Sequence, residues 1–327
     1  MLTVYRLCGK IWTKTHSKMH IAIVKDAVLP ARLYGGTERV AYSLGRALSR
    51  LGHEVTFICR AGSEASFAHV QAIDPSRNIT TQIPAGVDIV HFNDAVPEDI
   101  GERPYIVTIN GNLGDGVVAP PMAVFVSRNH AQRHGSEHFV YNGLDWDDYP
   151  KADLTLQRDS YHFLGKAAWR VKNVRGAISI IRQVPGAQLH VLGGTRLNFK
   201  MGFRFTPSPR IHFHGMVDNK AKCNYISHSL GLVFPVLWDE PFGLCLTESL
   251  YYGAPVFGTK RGSLPEIVPP EVGFLSNDED ELSRYIAEGH DYSPKLCHDY
   301  AEEVFGAMPM ANAYLDVYQS VLDGQRW

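Results

Sequence analysis

From residue 20 onward, short apolar runs alternate with segments whose apolar residues recur every three to four positions. Residues 20–24 predict a strand, and Val40, Leu44, Leu48 and Leu51 then share one helical face that Gly52 ends. Residues 54–59, 87–92, 105–109 and 123–127 predict further buried strands. The second half repeats this grammar: runs at 162–167, 188–192, 211–213, 231–236 and 255–258. Its helices carry Val174, Ala177, Ile178 and Ile181 on one face, ending near Pro185, and span about 220–228. From Lys295 the tail returns to helical spacing, with Tyr314, Val317, Tyr318 and Val321 aligned. Strands alternating with helices imply parallel sheets, so the class is α/β, in two similar halves with a cleft between them. Turn chemistry and a terminal proline at 142–150 mark the boundary. The resulting division is an extension over 1–18, a first domain over 19–145, a second over 146–300, and a helical tail over 301–327 packing back toward the first.

Composition narrows the class without changing this picture. The 327 residues are 45% hydrophobic and 20% charged, which excludes disordered, collagen-like and coiled-coil chains. Lys plus Arg number 32 against 34 acids, so the chain as a whole offers no basic field for nucleic acid. Five cysteines at wide spacing read as reduced thiols, and hence as a cytoplasmic protein. Apolar runs such as 230–237 are too short to cross a bilayer. The first 18 residues carry Arg6, Lys10, Lys14 and Lys18 and no acid, yet lack the apolar core of a secretory signal. A loosely attached extension is the favoured reading; the other is a basic arm making peripheral contact with anionic lipid at the inner membrane face.

Several familiar motifs are missing: G-x-G-x-x-G after the first strand, the Walker-type phosphate loop, H-E-x-x-H and G-x-S-x-G. His212 and His214 would share one side of a strand, but two ligands without a third disfavour a metal site. Asp145 and Asp147 fall in the boundary segment and read as turn residues. Three features point to phosphate. Gly35 and Gly36 open a helix whose amides can face an anion, although a plain turn capped by Thr37 explains them equally well. Lys166, Arg170 and Lys172 crowd three cations into the turn after a buried strand, where a diphosphate would relieve their repulsion, although taken alone they read rather as a solvated basic loop. In Asp239-Glu240-Pro-Phe-Gly-Leu-Cys-Leu-Thr-Glu248, Gly243 and Leu244 open a helix, and two carboxylates can each accept hydrogen bonds from neighbouring hydroxyls; the plain alternative is a helix with acids favourably placed near its start.

At this third feature the sequence resembles the donor-site signature of family-4 retaining glycosyltransferases of the GT-B fold (glycosyltransferase group 1). Glu240 and Glu248 stand eight positions apart in E-P-F-G-L-C-L-T-E. Gly35-Gly36-Thr37-Glu38, Val126-Ser127, Asn142-Gly143-Leu144-Asp145, Gly165-Lys166 through Lys172-Asn173, and Gly262-Ser263-Leu264-Pro265-Glu266 resemble further family elements in order. The resemblance implies two Rossmann-like domains facing each other across a cleft, with the acceptor on the first and the nucleotide sugar on the second. It implies that Glu248 holds the ribose hydroxyls, while Glu240 contacts the transferred sugar with amides near Phe242, Gly243 and Leu244. Lys166 and Lys172 would neutralise the diphosphate, with Arg170 beside or instead of one of them, and the backbone near Val217 would flank the base. Gly35 and Gly36 would cover the phosphate. Asn110 stands where the family often has His; its amide can bond a sugar hydroxyl but cannot hold a positive charge.

The implied activity is a hexosyltransferase-like, metal-independent transfer from a UDP-, GDP- or ADP-sugar to an acceptor hydroxyl, with retained configuration. Its setting would be polysaccharide, glycolipid or other glycoconjugate synthesis, with no cofactor beyond the donor. Two alternatives stand beside it: a sugar-nucleotide epimerase or phosphorylase on the same plan, and a nucleotide-sugar-binding protein that has lost turnover.

Overall fold

The computed structural model describes residues 16–31, 35–93, 95–199 and 201–327. The expectation for a basic arm falls largely outside the described residues, as do residues 32–34. The chain divides into two compact units: residues 1–126, 134–145 and 304–327 form the first, and 127–133 with 146–303 the second.

The first unit is built on a six-stranded parallel sheet of β1 (His20–Lys25), β2 (Glu54–Cys59), β3 (His69–Ala72), β4 (Ile89–Phe92), β5 (Tyr105–Ile109) and β6 (Ala123–Phe125), in the order β3-β2-β1-β4-β5-β6. Helix α1 (Gly36–Arg50) buries Val40, Leu44 and Leu48, the apolar stripe its spacing predicts. Gly45 lets α1 lie close to the sheet, since a Cβ there would sit 2.4 Å from the Phe57 ring.

The second unit repeats the topology after a short helix, α2 (Arg128–Arg133). Its sheet holds β7 (Ser160–Leu164) and β8 (Leu189–Leu192), then, beyond a two-stranded hairpin of β9 (Leu197–Asn198) and β10 (Arg204–Phe205), β11 (Ile211–Phe213), β12 (Ser229–Phe234), β13 (Val256–Gly258) and β14 (Gly273–Leu275). The order is β11-β8-β7-β12-β13-β14, again parallel throughout. Helices α3 (Val174–Gln183), α4 (Asn219–Ser227), α5 (Leu244–Tyr251), α6 (Leu264–Ile267), α7 (Glu279–Glu288) and α8 (Pro294–Phe305) complete it.

The chain ends in α9 (Ala307–Leu322), which belongs with the first unit and packs on α1 and β5. Tyr314 and Tyr318 are buried there, and Val317 is half-buried. Buried His91 on β4 joins the two tyrosines to the sheet: its Nδ1 pairs with Tyr318 OH and its Nε2 with Thr108 Oγ1, each at 2.7 Å. Thr108 Oγ1 lies 2.7 Å from Tyr314 OH. Burial pushes the His91 imidazole down to about 3, so it is neutral and splits one donor and one acceptor between two hydroxyls.

In each sheet the strand order reverses once, between β1 and β4 and between β7 and β12. Ligands of open parallel sheets bind outside the carboxyl ends of the strands at such a reversal, where crossovers leave to opposite faces.

Candidate functional site

The basic turn leaves the carboxyl end of β7, and the Glu240 loop leaves that of its neighbour β12. Sequence positions 68 residues apart therefore meet. Lys172 Nζ donates to Glu240 Oε2 at 2.6 Å, and Trp238 Nε1 donates to the same oxygen at 2.8 Å. Glu240 Oε1 has no partner among the described residues. The Lys172 ammonium also lies 5.0 Å from the Trp238 ring centre and 5.4 Å from that of Phe234. Lys172, which the resemblance assigns to the diphosphate, here also neutralises a carboxylate.

A single 3-10 turn over Arg170–Lys172 carries two of the cations, Arg170 and Lys172, and Asn173 follows it at φ 54°. The Asn173 side chain caps α3 by accepting from Gly176 N at 2.9 Å and donates to Pro235 O at 2.8 Å, tying this turn to the loop after β12. Gly193 and Gly194 allow the turn to sit down on the end of β8. A Cβ on Gly193 would lie 2.2 Å from Gly165 O, and one on Gly194 would lie 2.4 Å from the Ala167 Cβ. Lys166 and Arg170 are exposed, with Lys166 5.1 Å from the Trp169 ring centre.

The loop from Glu240 to Gly243 is fixed by its carbonyls. Ser263 N donates to Glu240 O at 2.9 Å, Ser127 Oγ to Pro241 O at 2.6 Å, and Ser263 Oγ to Phe242 O at 2.8 Å. Gly262, at φ 59°, makes this bracing possible: a Cβ there would stand 2.3 Å from Glu240 N. Gly243, at φ 86°, caps α5 with no side-chain acceptor, so no side chain competes for the amides of its first turn. Leu244 begins the helix and Phe242 is buried beside it.

Glu248 lies one turn inside α5 and is buried. Its Oε1 accepts from the Lys222 ammonium of α4, in a very short contact, and from Tyr149 OH at 3.0 Å. Lys222 is itself buried and lies 5.4 Å from the Tyr149 ring centre. Both partners escape a reading based on sequence. Neither stands in a recognisable motif, and only the packing of α4 and of the turn at Tyr149 brings them to Glu248. Gly215 to Val217 follow β11 at the same sheet edge, with Gly215 N bonded to Gly194 O at 3.0 Å. Thus Lys166, Arg170, Lys172, Val217, Glu240, Phe242, Gly243, Leu244 and Glu248 share the carboxyl edge of one sheet.

The remaining expected residues, Gly35, Gly36 and Asn110, belong to the first unit. Gly35, not Thr37, caps α1; it has φ 153° and no side-chain acceptor, and Thr37 Oγ1 instead donates to Glu38 Oε2 at 3.1 Å. A Cβ on Gly35 would approach within 2.8 Å of Ala31 Cβ. Asn110 follows β5 and Asn93 follows β4, and the buried Nδ2 of each finds no acceptor among the described residues. Asn93 was not singled out in the sequence. A buried amide without a partner at a strand's carboxyl end is the residue type a hydroxyl-rich ligand would satisfy.

Other groups resolve into structural roles. Asp145 pairs with Arg46 at 3.0 Å and with Arg50 at 3.1 Å, both on α1, while Asp147 lies in a separate turn of the second unit. His214 Nε2 lies 2.8 Å from His190 Nδ1, and burial with two neighbouring imidazoles pushes His190 down to about 4. No group of three metal-ligating side chains occurs among the described residues. Cys59, Cys223, Cys245 and Cys297 are free thiols, and no described helix is long and apolar enough to cross a membrane. A cavity of about 140 Å³ borders the basic turn and the β9–β10 hairpin, less than the roughly 300 Å³ of a typical small-molecule pocket. A wider concavity of about 540 Å³ in the first unit runs along Ser49 to Val55 and 66–69 and touches none of the expected site residues.

Comparison with known proteins gives the setting. The family described as glycosyl transferases group 1 matches residues 160–304, and that described as glycosyltransferase family 4 matches residues 34–156. An uncharacterized 41.2 kDa protein in the cps region of Klebsiella pneumoniae is 30% identical over 115 residues, 33% of this chain and 32% of that protein, so the match spans about a third of its length. The N-acetyl-alpha-D-glucosaminyl L-malate synthase of Bacillus anthracis is 23% identical across 88% of this chain and 94% of its own. Among solved structures, AviGT4, a glycosyltransferase involved in avilamycin A biosynthesis, superposes with a TM-score of 0.76 at 20% identity, covering 94% of this chain and 99% of its own. With both halves matched in order and two parallel Rossmann-like units in place, the chain belongs to the family-4, group 1 glycosyltransferases and has the GT-B fold.

Proposed function

We propose that this chain is a retaining glycosyltransferase that moves a sugar from a nucleoside diphosphate to an acceptor hydroxyl in the synthesis of a polysaccharide, glycolipid or other glycoconjugate. The observation that carries this reading is the Lys172–Glu240 pair, set beside the uncapped amino end of α5, with Glu248 one turn inside the same helix. Lysine and arginine side chains and helix amides together suit a diphosphate, and a carboxylate one turn away suits the paired hydroxyls of a ribose. Glu240 Oε1 then accepts from a hydroxyl of the transferred sugar. The first unit takes the acceptor, with the Asn110 amide available to a sugar hydroxyl there.

In the reaction the bond between the anomeric carbon and the phosphate oxygen breaks, and a bond from the acceptor oxygen to that carbon forms. The acceptor proton passes to the departing phosphate oxygen. Charge accumulates on the leaving diphosphate, so preorganised cations and amides there lower the barrier, each such contact contributing about 10²–10³ in rate. Lys166, Arg170 and Lys172 supply the positive charge that a metal would otherwise provide. Exclusion of water from the donor limits hydrolysis.

The test is a transfer assay with UDP-, GDP- and ADP-sugars and a panel of sugar and lipid acceptors, with and without a chelator. Nucleoside diphosphate release that depends on an acceptor and persists in chelator is expected. Cleavage that requires inorganic phosphate, or nucleotide-sugar binding without turnover on any acceptor, would contradict the reading.

A further inference from the structure

Five exposed large apolar side chains fall within nine residues of the β9–β10 hairpin: Leu197, Phe199, Met201, Phe203 and Phe205. Phe199 and Phe203 are 73% and 62% exposed, with ring centres 5.7 Å apart. Such a cluster at the surface of a folded unit marks a contact with something else. The hairpin is held firmly from beneath. Arg196 donates to the carbonyls of Thr206, Ser208 and Ile211, Arg175 donates to that of Phe203, and Arg204 to that of Thr195. Arg204 is buried and packs 4.6 Å from the Phe213 ring centre. The apolar side chains thus form a preorganised outer face.

The stretch of sequence that contains this hairpin is basic. Residues 160–217 carry nine Lys and Arg and no Asp or Glu, within a chain whose formal net charge is −2. The even balance of the whole sequence conceals this segment. Lys166, Arg170 and Arg175 are exposed. The Arg170 guanidinium reaches the hairpin, standing 3.8 Å from the position of a Cβ on Gly202.

We propose that the hairpin is a docking element for an anionic lipid surface. Its phenylalanines, leucine and methionine enter the interface between headgroups and acyl chains, while the surrounding cations meet lipid phosphates. An apolar face with exposed arginines beside it is a pattern that holds a protein on such a surface, each part reinforcing the other. A second copy of this chain fits less well, because a symmetric contact would pair this segment, which has no acid of its own, with itself. Single-stranded nucleic acid also fits less well, because Leu197 and Met201 offer no ring for stacking.

Vesicle flotation of the full chain tests this independently of sugar transfer. The protein is expected to float with phosphatidylcholine vesicles containing phosphatidylglycerol and to stay behind with phosphatidylcholine alone. Phe199→Ser with Phe203→Ser should lower partitioning about tenfold or more, whereas Lys10→Gln with Lys14→Gln should leave it unchanged. Phe199→Trp provides a readout with an aromatic side chain retained: its emission should shift to the blue on adding anionic vesicles only. Absence of flotation, an unchanged Phe199/Phe203 variant, loss in the Lys10/Lys14 variant alone, or Phe199→Trp emission indifferent to lipid would each overturn the proposal. So would a homodimer, or retention on single-stranded DNA, that the Phe199/Phe203 substitutions abolish while lipid binding is absent.

Discussion

At the scale of single residues, the carboxylates of the candidate site are defined as much by their lysines as by their place in a motif. Glu248 and Lys222 are both buried, and each is the other's charge partner. Removing one ion of a buried pair leaves the other desolvated, a loss of about 3–5 kcal/mol, whereas replacing both with neutral side chains is often tolerated. Lys222→Met should therefore destabilise the fold by that amount in urea unfolding, and adding Glu248→Gln should restore part of it. A Lys222→Met protein as stable as the wild type would show that the pair does not hold α4 to α5. An affinity measured on a Glu248 variant would combine the loss of any ribose contact with the cost of leaving Lys222 unpaired. Glu240 and Glu248 were legible from the sequence because their spacing sits in a motif. Lys222 and Tyr149 were not, because a partner 26 or 99 positions away leaves no local trace.

At the scale of elements, short apolar runs give most of the strands, with 54–59, 105–109 and 211–213 matching residue for residue. The misses have a common physical cause. β3 is an edge strand with no buried residue, so it shows no apolar run. The β9–β10 hairpin does alternate apolar and polar residues, but its apolar positions face outward, where no core selects them. Helix α7 buries only Leu282, Ser283 and Ile286, a faint stripe beneath a strong Asp278 cap. The turn before α6 has the opposite character: its sequence is plain, and its purpose emerges from contact distances. Gly262 touches the Glu240 backbone where even one methyl group would overlap. Gly262→Ala should cost about 1–3 kcal/mol from backbone strain alone, with more from the overlap, and should weaken nucleotide binding by displacing Glu240. Gly101→Ala is the control, since Gly101 also has positive φ, at 66°, but nothing lies within 4 Å. Equal thermal shifts for the two variants would remove Gly262 from the bracing of the site.

At the scale of the whole molecule, each unit contains one fully buried histidine near the centre of its sheet, His91 in the first and His162 in the second. His162 pairs with Ser229 Oγ at 2.7 Å and Ser249 Oγ at 3.2 Å, and burial, with lesser contributions from Arg158 and His190, holds it down at about 3. Both imidazoles protonate near 6.5 in the unfolded chain and near 3 in the native one. Between these limits the unfolded state binds more protons. The stabilisation is therefore complete above about pH 6.5 and is lost as pH falls toward 3. From pH 7 to 5 each histidine should remove about 2 kcal/mol, and calorimetric melting across that range should show both units losing stability in the same window. A flat profile from pH 7 to 5 would place these histidines in contact with water.

The overall architecture was legible because a doubly wound sheet repeats one local pattern many times. The site was legible only in part, because its motifs lie on separate strands and the topology alone brings their ends to one edge. The proposed function has this edge of the second unit grip the diphosphate of a nucleotide sugar. Isothermal titration of the full chain with UDP, GDP and ADP, alongside uridine, guanosine and adenosine, tests it most directly. One diphosphate is expected to bind at least about tenfold more tightly than its own nucleoside, and Lys166→Ala with Arg170→Ala, both exposed positions, should narrow that gap without altering nucleoside affinity. Nucleosides and diphosphates binding equally well to the wild type, or a gap untouched by those two substitutions, would contradict it.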